Sequence, residues 1–223
     1  MEGYTVTPIT YDDTKFWIKR MHYAHRMPSI SYSFGLFFGK EQKELIGVIT
    51  YGVSANFRLC TGICGDQYKK IVLELNRVCL LNNKKNEASY LIGNSLKLIP
   101  KPKIIVSYAD TGMGHIGKIY QATNWLYTGH TAKSSYCTKI GDNKHSRESS
   151  VRKENMDKNN NDYKIVERSI KHRYVCFLGS KKQKKQLRKA LNYSVVPYPK
   201  GDTEQYEIRD EIKNKPRLTP LGF

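Results

Sequence analysis

The sequence predicts an α/β protein of the α+β mixed-sheet kind, a single domain of 223 residues, and three observations predict it. Short runs rich in Val, Ile, Phe and Tyr recur between polar turns, as in SISYSFGLFFGK and KELIGVITYGVS. Ala88, Leu91, Ile92, Ser95, Leu96 and Ile99 fall on one face of a helix that Pro100 closes. Strand-like and helix-like segments alternate along the chain rather than segregating into blocks, which places helices against a central sheet.

YTVTPIT alternates as a short first strand, and YDDTKFWIKRMHYAHRMP reads as one helix, acidic in its first turn and stopped by Pro28. The two runs of the next hairpin are joined by GKEQKE. KKIVLELNRVCLL is a strand interrupted by Glu74, Asn76 and Arg77, and the helix after it takes Asn86 as N-cap and Glu87 in its first turn. KIIVSYAD is a buried strand, GHIGKIYQATNW a short helix, and NWLYTGH and KHRYVCFLG are the last strands. SKKQKKQLRKALNY is a basic helix capped by Ser180. The core is expected over about 4–193, with a mobile loop over about 141–163 and an irregular tail over about 194–223.

The net charge of +18 exceeds what solubility requires and implies a polyanionic partner, nucleic acid first. With 39% hydrophobic residues and 16 tyrosines, the chain reads as a globular enzyme with a basic surface rather than a basic tail. Five scattered cysteines, several inside apolar runs, indicate reduced core thiols. Neither a signal sequence nor an apolar span is legible, so a cytoplasmic location in the host cell, away from membranes, is expected.

GMGHIG, residues 112–117, fits the three-glycine pattern of dinucleotide loops. Its context does not: Ser107, Tyr108 and Asp110 put polar chemistry on the preceding strand, and no second buried strand ending in Asp or Glu follows.

The order of elements is that of the GNAT acyltransferase fold, whose central strands splay to admit an acyl donor. KIYQATNWLYTG looks like that family's L-Y-x-x-x-G-F segment, with Ile119 and Tyr120 in place of L-Y, Asn124 in place of its glycine and Trp125 in place of its phenylalanine. The resemblance implies that Tyr120 protonates the leaving group. LELNRVCL, ASYLIGNSLKLI, KPKIIVSYADTGMGHIGKIYQATNWLYTG and KHRYVCFLGSKKQKKQL together resemble the Mom family of bacteriophage DNA-modification proteins, over roughly 15–200. That family resemblance implies modification of adenine in double-stranded DNA at its exocyclic amine, leaving a carbamoylmethyl group that protects phage DNA from restriction. The (Q/R)-x-x-G-x-(G/A) loop that holds coenzyme A in GNAT enzymes is replaced here by LNNKKNEAS, which has no glycine. The donor is therefore open between acetyl-coenzyme A and glycyl-tRNA, since a glycyl group is an isomer of carbamoylmethyl. A GNAT enzyme acting on a protein or small amine, and a phage nucleic-acid binder without activity, are the other readings.

Candidate residues follow. Asp110 ends a buried strand, as a base or its orienter, or as the cap of the next helix. Ser107 is placed to bond a substrate amide or to serve as a satisfied strand serine, and Tyr120 as acid or core tyrosine. His22, Tyr23, His25 and Arg26 cluster where the first helix is expected to end, with His22 and His25 close enough to share a metal or to form a plain surface pair; no metal is established. Arg77 either pairs with Glu74 or, with Glu74 and Asn76, meets substrate. Tyr108, His115, Asn124 and Trp125 are further substrate candidates, Trp125 or a tyrosine holding a flipped adenine. Lys84, Lys85, Asn86 and Ser89 are placed for the donor. Arg26, Lys181, Lys182, Lys184, Lys185 and Arg188 are placed for phosphate contact. A tRNA would be a second polyanionic partner; oligomeric state is not legible.

Overall fold

A computed structural model describes residues 1–40, 43–141 and 163–203. Seven strands form one mixed sheet in the order β1-β2-β3-β4-β5-β9-β6: β1 (Tyr4–Pro8), β2 (Tyr32–Phe38), β3 (Glu44–Gly52), β4 (Val72–Leu80), β5 (Lys103–Asp110), β6 (Leu126–His130) and β9 (Lys171–Leu178). Every neighbouring pair is antiparallel except β4 and β5, which run parallel. That parallel pair is made by a right-sized crossover, α3 (Glu87–Leu98), as parallel neighbours demand. Among the described residues the mixed sheet with one parallel pair at its centre is the α/β mixed-sheet arrangement that the sequence predicted.

Each face of the sheet has its own core. Leu91, Ile92, Leu96 and Ile99 of the α3 segment pack with Leu73, Leu75 and Ile105 on one face, where Tyr120, Trp125 and Tyr174 join them. On the other face, α2 (Phe57–Gly62) and α5 (Lys181–Lys189) set Leu59, Cys60, Ile63 and Leu187 against Val72, Ile104, Val106 and Val175. A third cluster under the N-terminal helix contains Trp17, Met21, Val48 and Cys79. The five cysteines are all free thiols, four of them buried.

The structure corrects the pattern in several places. The first helix is α1 (Tyr11–Phe16), capped by Thr10 and Asp13, followed by a π-helical turn, Trp17–Met21. The wider turn closes with His22 N–H on the carbonyl of Trp17 at 3.0 Å and buries Trp17, Ile18 and Met21 together. The helix therefore stops at Met21, well before Pro28, and His22 and His25 share no helical face. Asn86 does not cap α3: it sits at φ 70° without a side-chain bond, and Glu87, 2% exposed, reaches back to the Lys84 amide at 2.8 Å. The short helix is only α4 (Lys118–Gln121), and α2 was not disclosed by any clear period.

Asn124 has φ 59°, a left-handed backbone that Asn tolerates next best after glycine, so it does conformational work where the related motif has Gly. Gly117 is needed because a Cβ there would run into the Tyr174 ring. Two further strands, β7 (Ser134–Lys139) and β8 (Tyr163–Arg168), pair as a separate hairpin. The expected mobile loop lies, but for its two ends, outside the described residues; so does most of the expected tail. The described part, 194–203, has no helix or strand yet is tied to the sheet edge, Val196 N–H to the Tyr127 carbonyl at 3.0 Å and Tyr198 Oη to that of Trp125 at 2.7 Å. No helix among the described residues is long and apolar enough to cross a membrane.

Candidate active site

β4 and β5 are in register only at Val72 with Ile104, Leu73 with Ile105 and Glu74 with Val106. Beyond Glu74 they part. β5 stays paired with β9 along its whole length, from Lys103 with Leu178 to Asp110 with Lys171. β4 follows β3 instead, through a bulge: Thr50 pairs with Arg77 and Tyr51 with Leu75, leaving Asn76 unmatched. Asn76 anchors that bulge, receiving the Thr50 hydroxyl at 2.6 Å and donating to the Ser29 carbonyl at 2.8 Å. The gap opens into a cavity of about 540 Å³ whose lining includes Glu74, Asn76, Arg77, Ser107, Tyr108 and Tyr120. This is the size range of small-ligand sites.

Ser107, 1% exposed, bridges the split, with its hydroxyl 2.9 Å from the Leu75 carbonyl and 2.8 Å from Tyr120 Oη. A serine has one proton, so when it serves Leu75 the tyrosine donates to serine, and when Tyr120 loses its proton the serine turns to support the phenolate. Burial pushes the Tyr120 pKa up, with Ser107 opposing, so the phenol keeps its proton at neutral pH.

At the end of β5, Asp110 does two jobs. One carboxylate oxygen accepts the Gly112 amide at 3.0 Å, capping the 3-10 turn Thr111–Met113 and not the expected helix, which starts only after Gly117, and the other receives Lys171 at 2.6 Å. Burial raises its pKa, but hydrogen bonds from Lys171 and Ser169, the Lys171 charge and the Gly112 amide outweigh that, and the net shift is downward. Asp110 is thus an ionised, paired carboxylate.

Opposite stands the segment after the π turn. His22 is buried, and its Nδ1 accepts the Ala24 amide at 3.0 Å, which leaves the proton of the neutral ring on Nε2. Burial, with help from Arg77, His25 and His115, lowers its pKa to about 3. The His22 ring lies 4.3 Å from that of Tyr23, and Tyr23 meets His115 edge-on at 6.0 Å. Arg77 does not pair with Glu74. Its two terminal nitrogens donate to the carbonyls of Asn76 (2.6 Å) and Arg26 (3.0 Å), while its Nε is buried without a partner among the described residues. A guanidinium held this way, beside a cavity and with no carboxylate bonded to it among the described residues, is suited to an anion or a carbonyl oxygen. Among the described residues no three His, Cys, Asp or Glu side chains gather as metal ligands; His25 Nδ1 is 3.0 Å from the Lys19 carbonyl.

Most sequence candidates for the chemistry meet at this cavity: His22, Tyr23, Glu74, Asn76, Arg77, Ser107, Tyr108, His115 and Tyr120 line it, and Asp110 joins through Lys171. Trp125 does not. It is fully buried in the core behind Tyr120, ring centroids 5.2 Å apart, so it cannot hold a flipped base, and Asn124 beside it is a turn residue. Lys84, Lys85, Asn86 and Ser89 stand at the start of α3, near the cavity wall at Asn83 and Ala88. There the buried Glu87 carboxylate takes the Lys84 amide and the Tyr4 hydroxyl (3.0 Å), and Ser89 turns its hydroxyl to the Asn86 carbonyl. Glu87 thus sets a buried carboxylate at the first position of α3, bonded to the amide of Lys84 in the turn before it. Arg26 offers its carbonyl to Arg77, and Lys181, Lys182, Lys184, Lys185 and Arg188 lie on α5, which begins beside Lys103, at the end of the sheet away from Asp110. Asn56, Leu59 and Thr131 also line the cavity and carried no periodic or motif signal, as do Ser54 and Lys171, which lie in quoted strand runs without having been singled out.

A mixed sheet whose parallel pair parts beyond Glu74, with Tyr120, His22 and Arg77 lining the gap, defines an α/β protein with a candidate small-ligand site between its central strands. The chain belongs to the Mom protein family, which matches residues 3–200. It is 27% identical over 217 residues to the methylcarbamoylase mom of Escherichia phage Mu, covering 89% of this chain and 86% of that one. Among solved structures, NAA60 of Arabidopsis thaliana in complex with acetyl-CoA is similar over 78% of this chain and 98% of its own, at 12% identity and a TM-score of 0.46. The ribosomal-protein-S5-alanine acetyltransferase of Vibrio fischeri is similar over 81% and 96%, at 10% identity and a TM-score of 0.45.

Proposed function

We propose that this protein is a phage DNA-modification enzyme that converts adenine to its carbamoylmethyl derivative at the exocyclic amine, using a glycyl group carried on tRNA. Family membership supports DNA modification, and the net charge of +18 suits two polyanionic substrates. The observation that favours a donor other than coenzyme A is Glu87, a buried carboxylate at the first position of α3, where the negative charge of a pyrophosphate would meet it.

The adenine amine attacks the glycyl ester carbonyl; the C–N bond forms, the ester C–O bond breaks, and the ribose hydroxyl leaves with a proton. In this reading Tyr120 supplies that proton and Ser107, hydrogen-bonded to it, supports the phenolate. In this reading Arg77 and the Nε2–H of neutral His22, both residues of the cavity lining, donate to the oxyanion of the tetrahedral intermediate. Asp110, ionised and paired, positions Lys171 and the 111–114 turn rather than taking the proton itself. The free glycyl amine then attacks C6 through a five-membered ring and expels the original amine as the amide nitrogen. The atoms of glycine and adenine are conserved, and glycine's nitrogen ends on the ring.

The test is purified protein with DNA and tRNA charged with nitrogen-15 glycine, treated or not with RNase. Product labelled on the ring-attached nitrogen, and lost with RNase, is expected. Product made equally from acetyl-coenzyme A and an amine source, indifferent to RNase, overturns the donor reading.

A further inference from the structure

We propose that Phe57, with the exposed Val53 of the loop before it, is a wedge that enters the base stack of duplex DNA while the target adenine is turned out into the cavity. The proposal rests on the DNA-modification reading above. β3 ends at Gly52, whose partner in register is Glu74, the residue at which β4 and β5 part. The loop that continues from Gly52 therefore leaves the sheet at the closed end of the split, where β4 and β5 are still paired. Ser54 and Asn56 of this loop, and Leu59 one turn into α2, line the cavity. Phe57 and Val53 do not line it and stand out from the surface, 70% and 53% exposed.

The exposure is built in. Ser54 is buried and its Oγ accepts the Asn56 amide at 3.2 Å, the Leu59 amide bonds the Asn56 carbonyl at 2.9 Å, and Leu59 and Cys60 are anchored in the core with Ile63. An aromatic ring at the first position of that helix is held out from a fixed base. A single exposed apolar residue is ordinary on a protein surface; its place is what matters here. Arg58 follows it on the surface, and the basic helix α5 packs beside α2 through Leu187 on the same face of the sheet. A duplex attracted by these cations lies across a face whose projecting apolar group adjoins the cavity.

An adenine stacked in a duplex hides its amine from any cavity of this kind, and turning it out leaves a gap in the stack. Apolar side chains that fill such gaps offset part of the lost stacking. Phe57 is a positioning residue in this account: it sets the fraction of DNA with its base in the cavity and leaves the transfer chemistry alone.

The experiment compares wild type with Phe57→Ala and Phe57→Trp on two duplexes, one fully paired and one with the target adenine opposite an abasic site. The expected result is a loss of about tenfold or more in the modification rate of paired DNA for Phe57→Ala, recovery to within about threefold of wild type on the abasic duplex, and near-normal rates for Phe57→Trp. 2-Aminopurine at the target position brightens on binding wild type and Phe57→Trp but not Phe57→Ala. Equal rates of Phe57→Ala and wild type on paired DNA, as expected if the patch serves a protein partner, overturn the wedge; so does an equal loss on both duplexes. A wild type that modifies neither duplex overturns the DNA reading and the wedge with it.

Discussion

His22 shows at the scale of one residue how burial sets a protonation state. Its folded pKa of about 3 lies below the unfolded value of 6.5, so the ring adds no pH dependence above about 6.5 and destabilises the fold increasingly as pH falls toward 3. Between pH 7.5 and 5 the loss is on the order of 2 kcal/mol. His172, also lowered by burial, acts in the same direction, while the depressed Asp110 retains its charge in this window. Urea midpoints of wild type should therefore fall from pH 7.5 to 5, and those of His22→Gln should fall less; parallel curves would refute the buried neutral ring. Tyr120→Phe removes the proposed acid and one bond to Ser107, and a drop in product formation of about a hundredfold is predicted, with a stability change of about 1 kcal/mol read from thermal melts. Undiminished turnover would reassign Tyr120 to the core alone.

At the scale of elements, the strands and α3 were legible because their apolar residues repeat with the period of the element and one face is buried. The helix end at Met21 was not legible, since a π turn depends on Trp17, Ile18 and Met21 finding a common core pocket, which no local pattern encodes. Nor was α2, six residues held by Leu59, Cys60 and the distant Leu187. The site was legible residue by residue where polar groups interrupt buried strands, as at Glu74, Arg77, Ser107 and Asp110; it misled at Trp125, an aromatic whose burial is decided by Tyr120 and Tyr174. Two predictions belong here. Asn124→Ala should cost about 1 kcal/mol and Asn124→Gly close to nothing, because the turn into β6 requires φ 59°. Lys184→Ala with Lys185→Ala should reduce the salt slope of DNA binding by up to about two, measured by fluorescence anisotropy, without changing turnover of bound DNA, because α5 starts at the end of the sheet away from Asp110. An unchanged slope would remove α5 from the interface.

For the whole molecule, one division of the sheet organises everything else. β5 keeps faith with β9, β4 with β3, and the gap between them receives a phenol from α4, an imidazole from the N-terminal segment and a guanidinium from β4. In the proposed function the net charge of +18 attracts nucleic acid, and the gap receives the acyl transfer to one amine. The measurement that tests this account most directly is mass spectrometry of nucleosides digested from plasmid DNA of bacteria expressing the protein, beside an Asp110→Ala control. The account predicts a deoxyadenosine heavier by one glycyl unit with the wild-type chain and not with the variant. Unmodified deoxyadenosine from cells rich in soluble wild-type protein would contradict it.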